Sequence, residues 1–280
     1  MTGYTEWRPA DLFSDSPNLH KYFALIVLNQ PLELRVSFYA KVWRNAVFHV
    51  GADGGANRLH DMLQTDPEQS SLNLDTIIGD LDSLTEDAKN FWYGKGSEII
   101  HDSDQYSTDF GKATKYLKDF RVPDGAEFTP SKSEVRQAKL QLVKDDPQVK
   151  DVVCLGGLGG RVDQGMATLQ HLYICQKERD YASGRMFLLS GESITFVLKS
   201  GKHKIRGMAN SCNVRLGKHV GIVPIKERSV ITTTGLEWDV TDWVTEFGGQ
   251  ISTSNHVKEQ WVTVETTNDV LFTIDFEVDE

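Results

Sequence analysis

Short, almost wholly apolar runs punctuate the first two thirds of the chain: FALIVL at 23–28, AVFHVGAD at 46–53, DTIIGDLD at 75–82, SEIIHD at 97–102 and KDVVCLGG at 150–157. Runs of this length with no polar alternation predict strands covered on both faces. The stretches between them carry helical periodicity. Ala56, Leu59, Met62 and Leu63 share one face, Phe110, Ala113, Leu117 and Phe120 a second, and Val162, Met166, Leu169, Leu172 and Tyr173 a third. Strand and helix in alternation predict an α/β fold with a doubly wound, mostly parallel sheet.

The texture changes after about residue 184. MFLLSG, ITFVLK, KHKIRG, CNVRLG, HVGIVPI, SVITTTG, WVTVET and VLFTIDFEV are short and alternating, and Phe272, Ile274 and Phe276 fall on one face of the last. This pattern predicts a C-terminal antiparallel β-sandwich. The reading gives a loose leader at 1–20, an α/β catalytic domain at 21–184 and a β-sandwich domain at 185–280. Residues 121–149 are polar, carry three prolines and read as a surface insertion, with a helix near 132–143 and no chemistry of their own. No repeat recurs along the chain.

Composition narrows the function. The 280 residues are 39% hydrophobic and 25% charged, as in an ordinary globular protein, and 30 Lys and Arg against 40 Asp and Glu leave a formal charge of −10. That balance argues against a nucleic-acid partner. Cys154, Cys175 and Cys212 are far apart and form no CxxC pair, so neither a disulfide framework nor a thiolate zinc site is expected, and a reducing cytoplasm fits. The N-terminus lacks the basic start and apolar stretch of a signal peptide, and FALIVL is too short to cross a bilayer, so no membrane partner is expected.

The candidate chemistry sits where the strands end. In IIGDLDSL, Asp80 and Asp82 follow a buried strand at i and i+2, positions that point the same way in extended backbone. Ligands of open parallel sheets bind beyond the carboxyl ends of the strands, where two acids can hold a hard cation such as magnesium; an isolated pair of this kind also arises as turn caps. GADGGANRL repeats the arrangement, with Asp53 closing a strand and Gly54–Gly55 turning into a helix whose free N–H groups can approach a phosphate. In STDF, Ser107 or Thr108 is placed to cap a helix with Asp109 in its first turn, a position that dipole complementarity alone also favours. LGGLGGRVDQ adds four glycines with Arg161 and Asp163 at a helix start, and there a guanidinium suits phosphate oxygens, with a surface ion pair as the alternative. It lacks the acidic residue of a dinucleotide fingerprint. Asp53, Asp80, Asp82, Asp109 and Asp163 together describe metal-assisted chemistry on a phosphate ester.

ADGGANRL, GDLDSL, QYSTDF, LGGLGGRVDQ, TTTGLEW and STSN, in that order, resemble the thiamine pyrophosphokinase family over residues 23 to 276. Leu81 stands where the family has Phe, and the long 121–149 segment resembles fungal members. The resemblance implies an α/β domain with a C-terminal β-sandwich, a homodimer with active sites between subunits, and transfer of the pyrophosphoryl group of ATP to the hydroxyethyl oxygen of thiamine. It places Asp80, Asp82 and Asp109 on magnesium, with Asp53 and Asp163 in the catalytic set. Gly54, Gly55, Asn57, Gly157, Arg161 and Asp163 fall on the nucleotide side. Gln105, Asp109, Thr234, Trp238, Ser252 and Ser254 fall on thiamine, with Trp238 stacked on it. Two other readings use fewer of these residues: a metal-dependent glycosyltransferase explains Asp80 and Asp82 alone, and a thiamine or nucleotide sensor leaves the acids without work.

Overall fold

A strand that is apolar at every position must be covered on both faces, and that requirement organises the larger part of this protein. The computed structural model describes residues 3–14, 23–65, 71–119, 124–129, 133–145, 151–177, 181, 184–208, 210–211 and 214–278. The chain divides into two compact units, one of Met1–Leu19 with Glu192–Glu280 and one of His20–Gly191. The first begins with β1 (Thr5–Trp7) and a 3-10 turn at Pro9–Phe13.

In the α/β unit the order is β2 (Phe23–Val27), α1 (Val36–Asn45), β3 (Ala46–Ala52), α2 (Gly55–Thr65), β4 (Thr76–Gly79), α3 (Glu86–Gly94), β5 (Glu98–His101) and α4 (Asp109–Asp119). Then follow β6 (Glu127–Thr129), α5 (Glu134–Asp145), β7 (Asp151–Leu155), α6 (Val162–Cys175) and β8 (Met186–Leu189). The strands lie in the order β8-β7-β2-β3-β4-β5-β6, parallel except for β6, which runs antiparallel on β5. Strand order reverses at β2, which has β3 on one side and β7 on the other, and such a reversal opens a crevice at the carboxyl ends.

The sequence pattern and the structure part at three places in this unit. MFLL at 186–189, expected to open the β-sandwich, is instead β8, parallel to β7 and buried throughout. It has the unbroken apolar character of the other central strands, and the division between units follows it, at Gly191/Glu192. The insertion is not merely a solvated surface. β6 extends the sheet, and Arg136 of α5 is buried with its guanidinium paired to Glu98 and donating to Tyr116 Oη at 2.8 Å and the Asp75 carbonyl at 3.1 Å. Residues 120–123, 130–132 and 146–150 of that region, Phe120 included, lie outside the described residues. On α6 the inward row is Thr168 and Leu172, whereas Val162 and Met166 are 81% and 49% exposed. The row Val162, Met166, Leu169 and Tyr173 lies one residue's rotation, roughly 100°, from the buried one.

The β unit comprises β9 (Ser193–Leu198), β10 (Gly201–Arg206), β11 (Asn210–Ser211), β12 (Val214–Val223), β13 (Ser229–Thr234), β14 (Trp243–Thr245), β15 (Ser252–His256), β16 (Trp261–Thr266) and β17 (Val270–Val278). One five-stranded sheet has the order β1-β10-β16-β13-β14; opposite it β11, β12, β17 and β9 are neighbours, with β15 also paired to β12. On β17, Phe272, Ile274 and Phe276 point inward, as their alternation predicts. Part of the expected loose leader, Thr5–Trp7, is a structural strand, while residues 1–2 and 15–20 lie outside the described residues. β1 pairs parallel with β10, and Trp7, fully buried, stacks on Phe196 with ring centroids 4.5 Å apart. Its indole N–H donates to His203 Nδ1 at 3.1 Å, while His203 Nε2 bonds the Lys199 carbonyl at 2.7 Å. A lone tryptophan between polar residues gives no periodicity, so its burial was not legible.

Candidate active site

Two neighbouring strand ends and the start of a helix converge on one group of acids. β3 ends at Ala52, and Asp53, at φ 43°, turns the chain toward α2 in a left-handed conformation that Asp tolerates better than most residues. Its N–H donates to the Ile78 carbonyl at 3.0 Å, which ties this turn to the neighbouring strand. β4 ends at Gly79, immediately before Asp80. The chain leaving β5 re-enters a helix at Asp109, where Thr108 Oγ1 caps α4 by accepting the Gly111 N–H at 3.1 Å. Thr108 Oγ1 also lies 2.6 Å from His171 Nε2 on α6.

One carboxylate oxygen from each of Asp53, Asp80 and Asp109 lies within 4.8 Å of the others. Asp53 is buried; one oxygen accepts the Ser83 N–H at 3.2 Å, and the other is buried with no hydrogen-bond partner. Burial first, then repulsion from Asp109, push its pKa up to about 6. Burial also raises Asp109, with Lys112 opposing. Three carboxylates offering hard oxygen donors at this spacing, with one Asp53 oxygen buried and unpartnered, fit a divalent cation of the magnesium type. Gly79 makes the approach possible: a Cβ there would lie 2.6 Å from Asp53 Cβ and 2.9 Å from Asp109 Oδ1.

The β unit carries a separate cavity of about 230 Å³, lined by Ile231, Thr233, Trp238, Val240, Trp243 and Ser252 among others. Trp238 is 57% exposed, unusual for so large an apolar side chain and suited to stacking on a ligand.

Comparison with known proteins matches residues 39–182 to the thiamin pyrophosphokinase catalytic domain and residues 202–271 to the thiamin pyrophosphokinase vitamin B1 binding domain. The chain belongs to the thiamine pyrophosphokinase family. Over 262 residues it is 35% identical to thiamine pyrophosphokinase 1 of Arabidopsis thaliana, covering 90% of this chain and 85% of that one. It is 28% identical over 285 residues to the Saccharomyces cerevisiae enzyme, covering 94% and 88%. The solved thiamin pyrophosphokinase of Candida albicans superposes with a TM-score of 0.74 at 25% identity, over 98% of this chain and 93% of that one. The yeast structure gives 0.77 at 23%, a likeness of fold, over 99% and 93%. As a member of this family the protein is an enzyme, a thiamine diphosphokinase.

Within this thiamine pyrophosphokinase the remaining sequence candidates fall into distinct settings. Asp82 is not in the carboxylate triad, and Asp53 is. Leu81 sits at φ 61°, which breaks the extended backbone that would align Asp82 with Asp80, and Asp82 instead accepts from its own neighbour Ser83 Oγ at 2.9 Å. Gln105 Nε2 lies 3.5 Å from Asp80 Oδ2. Asn57 braces the site from α2, donating to the Ser83 carbonyl at 2.6 Å and accepting the Thr85 N–H at 3.1 Å. Gly54 and Gly55 permit close packing, since Cβ atoms there would lie 2.4 Å from Asn29 Nδ2 and 2.1 Å from the Val27 carbonyl. A Cβ on Gly157 would meet Leu188 and Thr168.

Arg161 and Asp163 form an exposed ion pair at 2.5 Å, the surface pairing that the sequence offers as the alternative. Of the residues expected on thiamine, Trp238 and Ser252 line the β-unit cavity. Thr234 and Ser254 do not. Strand alternation puts Thr233 into the lining and turns Thr234 toward Thr263, 2.6 Å away, and Ser254 stands at φ 55°. Sequence reasoning missed Lys112, which is only 3% exposed with Nζ 3.4 Å from Asp109 Oδ1. Its spacing three residues after Asp109 on one helix was the available signal.

Proposed function

We propose that this enzyme transfers the pyrophosphoryl group of ATP to the hydroxyethyl oxygen of thiamine with magnesium, giving thiamine diphosphate and AMP. The observation that carries the reading is the triad of Asp53 and Asp80, just past β3 and β4, with Asp109 at the start of α4, in a chain of this family. These carboxylates would hold magnesium, whose charge there would offset the repulsion between the acids and a polyphosphate. Attack falls on the β-phosphorus, so catalysis rests on positioning and charge neutralisation. Asp109 is our candidate for orienting the hydroxyl or accepting its proton, and the buried Lys112 ammonium fixes that carboxylate. Arg161 and Asp163, with Gly157 and the Gly54–Gly55 turn, belong to the nucleotide side, where a phosphate would compete with Asp163 for the guanidinium.

The Trp238 cavity is our candidate for thiamine, whose thiazolium cation an aromatic face attracts by roughly 0.5–2 kcal/mol. Ser252 lines that cavity, and Gln105, Thr234 and Ser254 are assigned to thiamine on the resemblance alone. The same reading makes the protein a homodimer with active sites at the subunit interface, which sedimentation of the purified chain tests. No helix among the described residues is long and apolar enough to cross a membrane, and the free Cys154 and Cys175 suit a reducing cytoplasm. The deciding experiment incubates protein, ATP, magnesium and thiamine and separates the products. Equal amounts of AMP and thiamine diphosphate are expected. ADP with thiamine monophosphate would move attack to the γ-phosphorus, and thermal stabilisation by both ligands without turnover would overturn the enzyme reading in favour of a sensor.

A further inference from the structure

Trp238 stands more than half in solvent, with the His256 ring beside its indole at 5.1 Å between centroids, and the loop beneath is pinned at several backbone groups. The N–H groups of Gly235 and Leu236 donate to the Asp239 carboxylate at 3.0 and 3.2 Å, and that of Glu237 to the His256 carbonyl at 2.8 Å. The Gly235 carbonyl accepts from the Lys258 N–H at 2.9 Å. At Trp238 itself a side chain takes over the pairing. Asn255, buried on β15, accepts the Trp238 N–H on Oδ1 at 3.1 Å and donates from Nδ2 to the Trp238 carbonyl at 2.9 Å. The same Oδ1 accepts the His256 N–H at 2.8 Å. A carboxamide is the one small side chain that offers an acceptor and a donor side by side, as a backbone N–H and C=O require.

We infer that Asn255 is a positioning residue for the reaction: by closing on both backbone polar groups of Trp238 it holds the indole presented to the cavity before substrate arrives. This rests on the reading of Trp238 as the thiamine-stacking residue. Side chains fixed in advance bind without the entropic cost of being ordered, so the loss of Asn255 falls on thiamine binding and not on the phosphoryl chemistry.

The test is a double-mutant cycle of N255D and W238A, with steady-state kinetics in both substrates and a thermal melt of each variant. Asp keeps the size and the acceptor of Asn but sets a second carboxylate oxygen against the Trp238 carbonyl. N255D is expected to raise KM for thiamine about tenfold while kcat and KM for ATP stay within about twofold. In the W238A background the same change should move KM for thiamine by less than about twofold, because there is no indole left to place. Asn255 also lines the cavity, so independent, multiplying effects would show that it acts without the indole, as a structural residue or by its own contact with the ligand, and would overturn the inference. A silent N255D beside a damaging W238A would also overturn it and leave the stacking reading intact. A silent W238A would overturn that reading, and the inference with it. If N255D fails to fold, N255S, which retains an acceptor and drops the new charge, carries the same expectations.

Discussion

At the scale of single residues the candidate site is a cluster of carboxylates from Asp53, Asp80 and Asp109 within 4.8 Å of one another. Asp53 has its pKa pushed up to about 6 by burial and by Asp109. A carboxyl whose folded pKa lies above its unfolded value of 3.8 contributes stability that is complete below that value and lost as pH rises through about 6. Asp53→Asn removes this titration, and Asn accepts the left-handed φ of 43° without new strain. In metal-free buffer the variant should therefore melt above the wild type at pH 8 and lose that advantage toward pH 4. After discounting for solvent screening, the difference at pH 8 should be on the order of 1 kcal/mol. With magnesium, turnover should fall by about 10²–10³-fold, as expected on losing a preorganised electrostatic group. A wild type more stable than Asp53→Asn at pH 8 without metal would show that the acids do not repel one another in the folded chain.

At the scale of elements, α5 shows how a polar segment becomes structural. Its sequence carries too few apolar residues to mark a docked helix, yet Arg136 reaches Glu98, Tyr116, Thr76 and the Asp75 carbonyl, and Lys139 reaches Asp75 at 3.1 Å. Burial, ahead of the neighbouring charges, drives the Tyr116 hydroxyl up to about 12, so it remains a donor to Glu98 at every ordinary pH. These partners lie at the starts of β4 and β5, the end of the sheet opposite the acids. Arg136→Met leaves Glu98 buried without its cation and should cost about 3 kcal/mol in urea unfolding. Adding Glu98→Gln should recover more than half of that loss, and kcat should stay within about twofold of the wild type in both variants. A loss of turnover without a loss of stability would give the insertion a catalytic role that its location does not support.

At the scale of the whole molecule, the chain closes its β unit with its own beginning. Trp7 fills the space between Phe196 on one sheet and its own strand on the other, and its indole N–H is satisfied by a histidine that is itself anchored. Trp7→Ala should cost about 3–5 kcal/mol, the usual range for deleting a large buried aromatic. Calorimetry would register this as a lower melting temperature, and a change of less than about 1 kcal/mol would mean that the N-terminal strand is dispensable to the unit.

The sequence by itself determined the α/β order, the antiparallel C-terminal texture and the acids at the strand ends, because each is encoded by neighbours a few residues apart: a period of two or 3.6, or a glycine turn after an apolar run. Even the ordered motifs that pointed to the family are local strings. What only the tertiary structure decided involves partners distant in sequence. Asp53 and not Asp82 completes the triad, because one left-handed residue at Leu81 redirects the chain. Gly79 matters because two side chains from other elements need its missing Cβ. Trp7, Arg136 and Asn255 acquire their roles from groups 196, 38 and 17 residues away, separations over which local pattern carries no information.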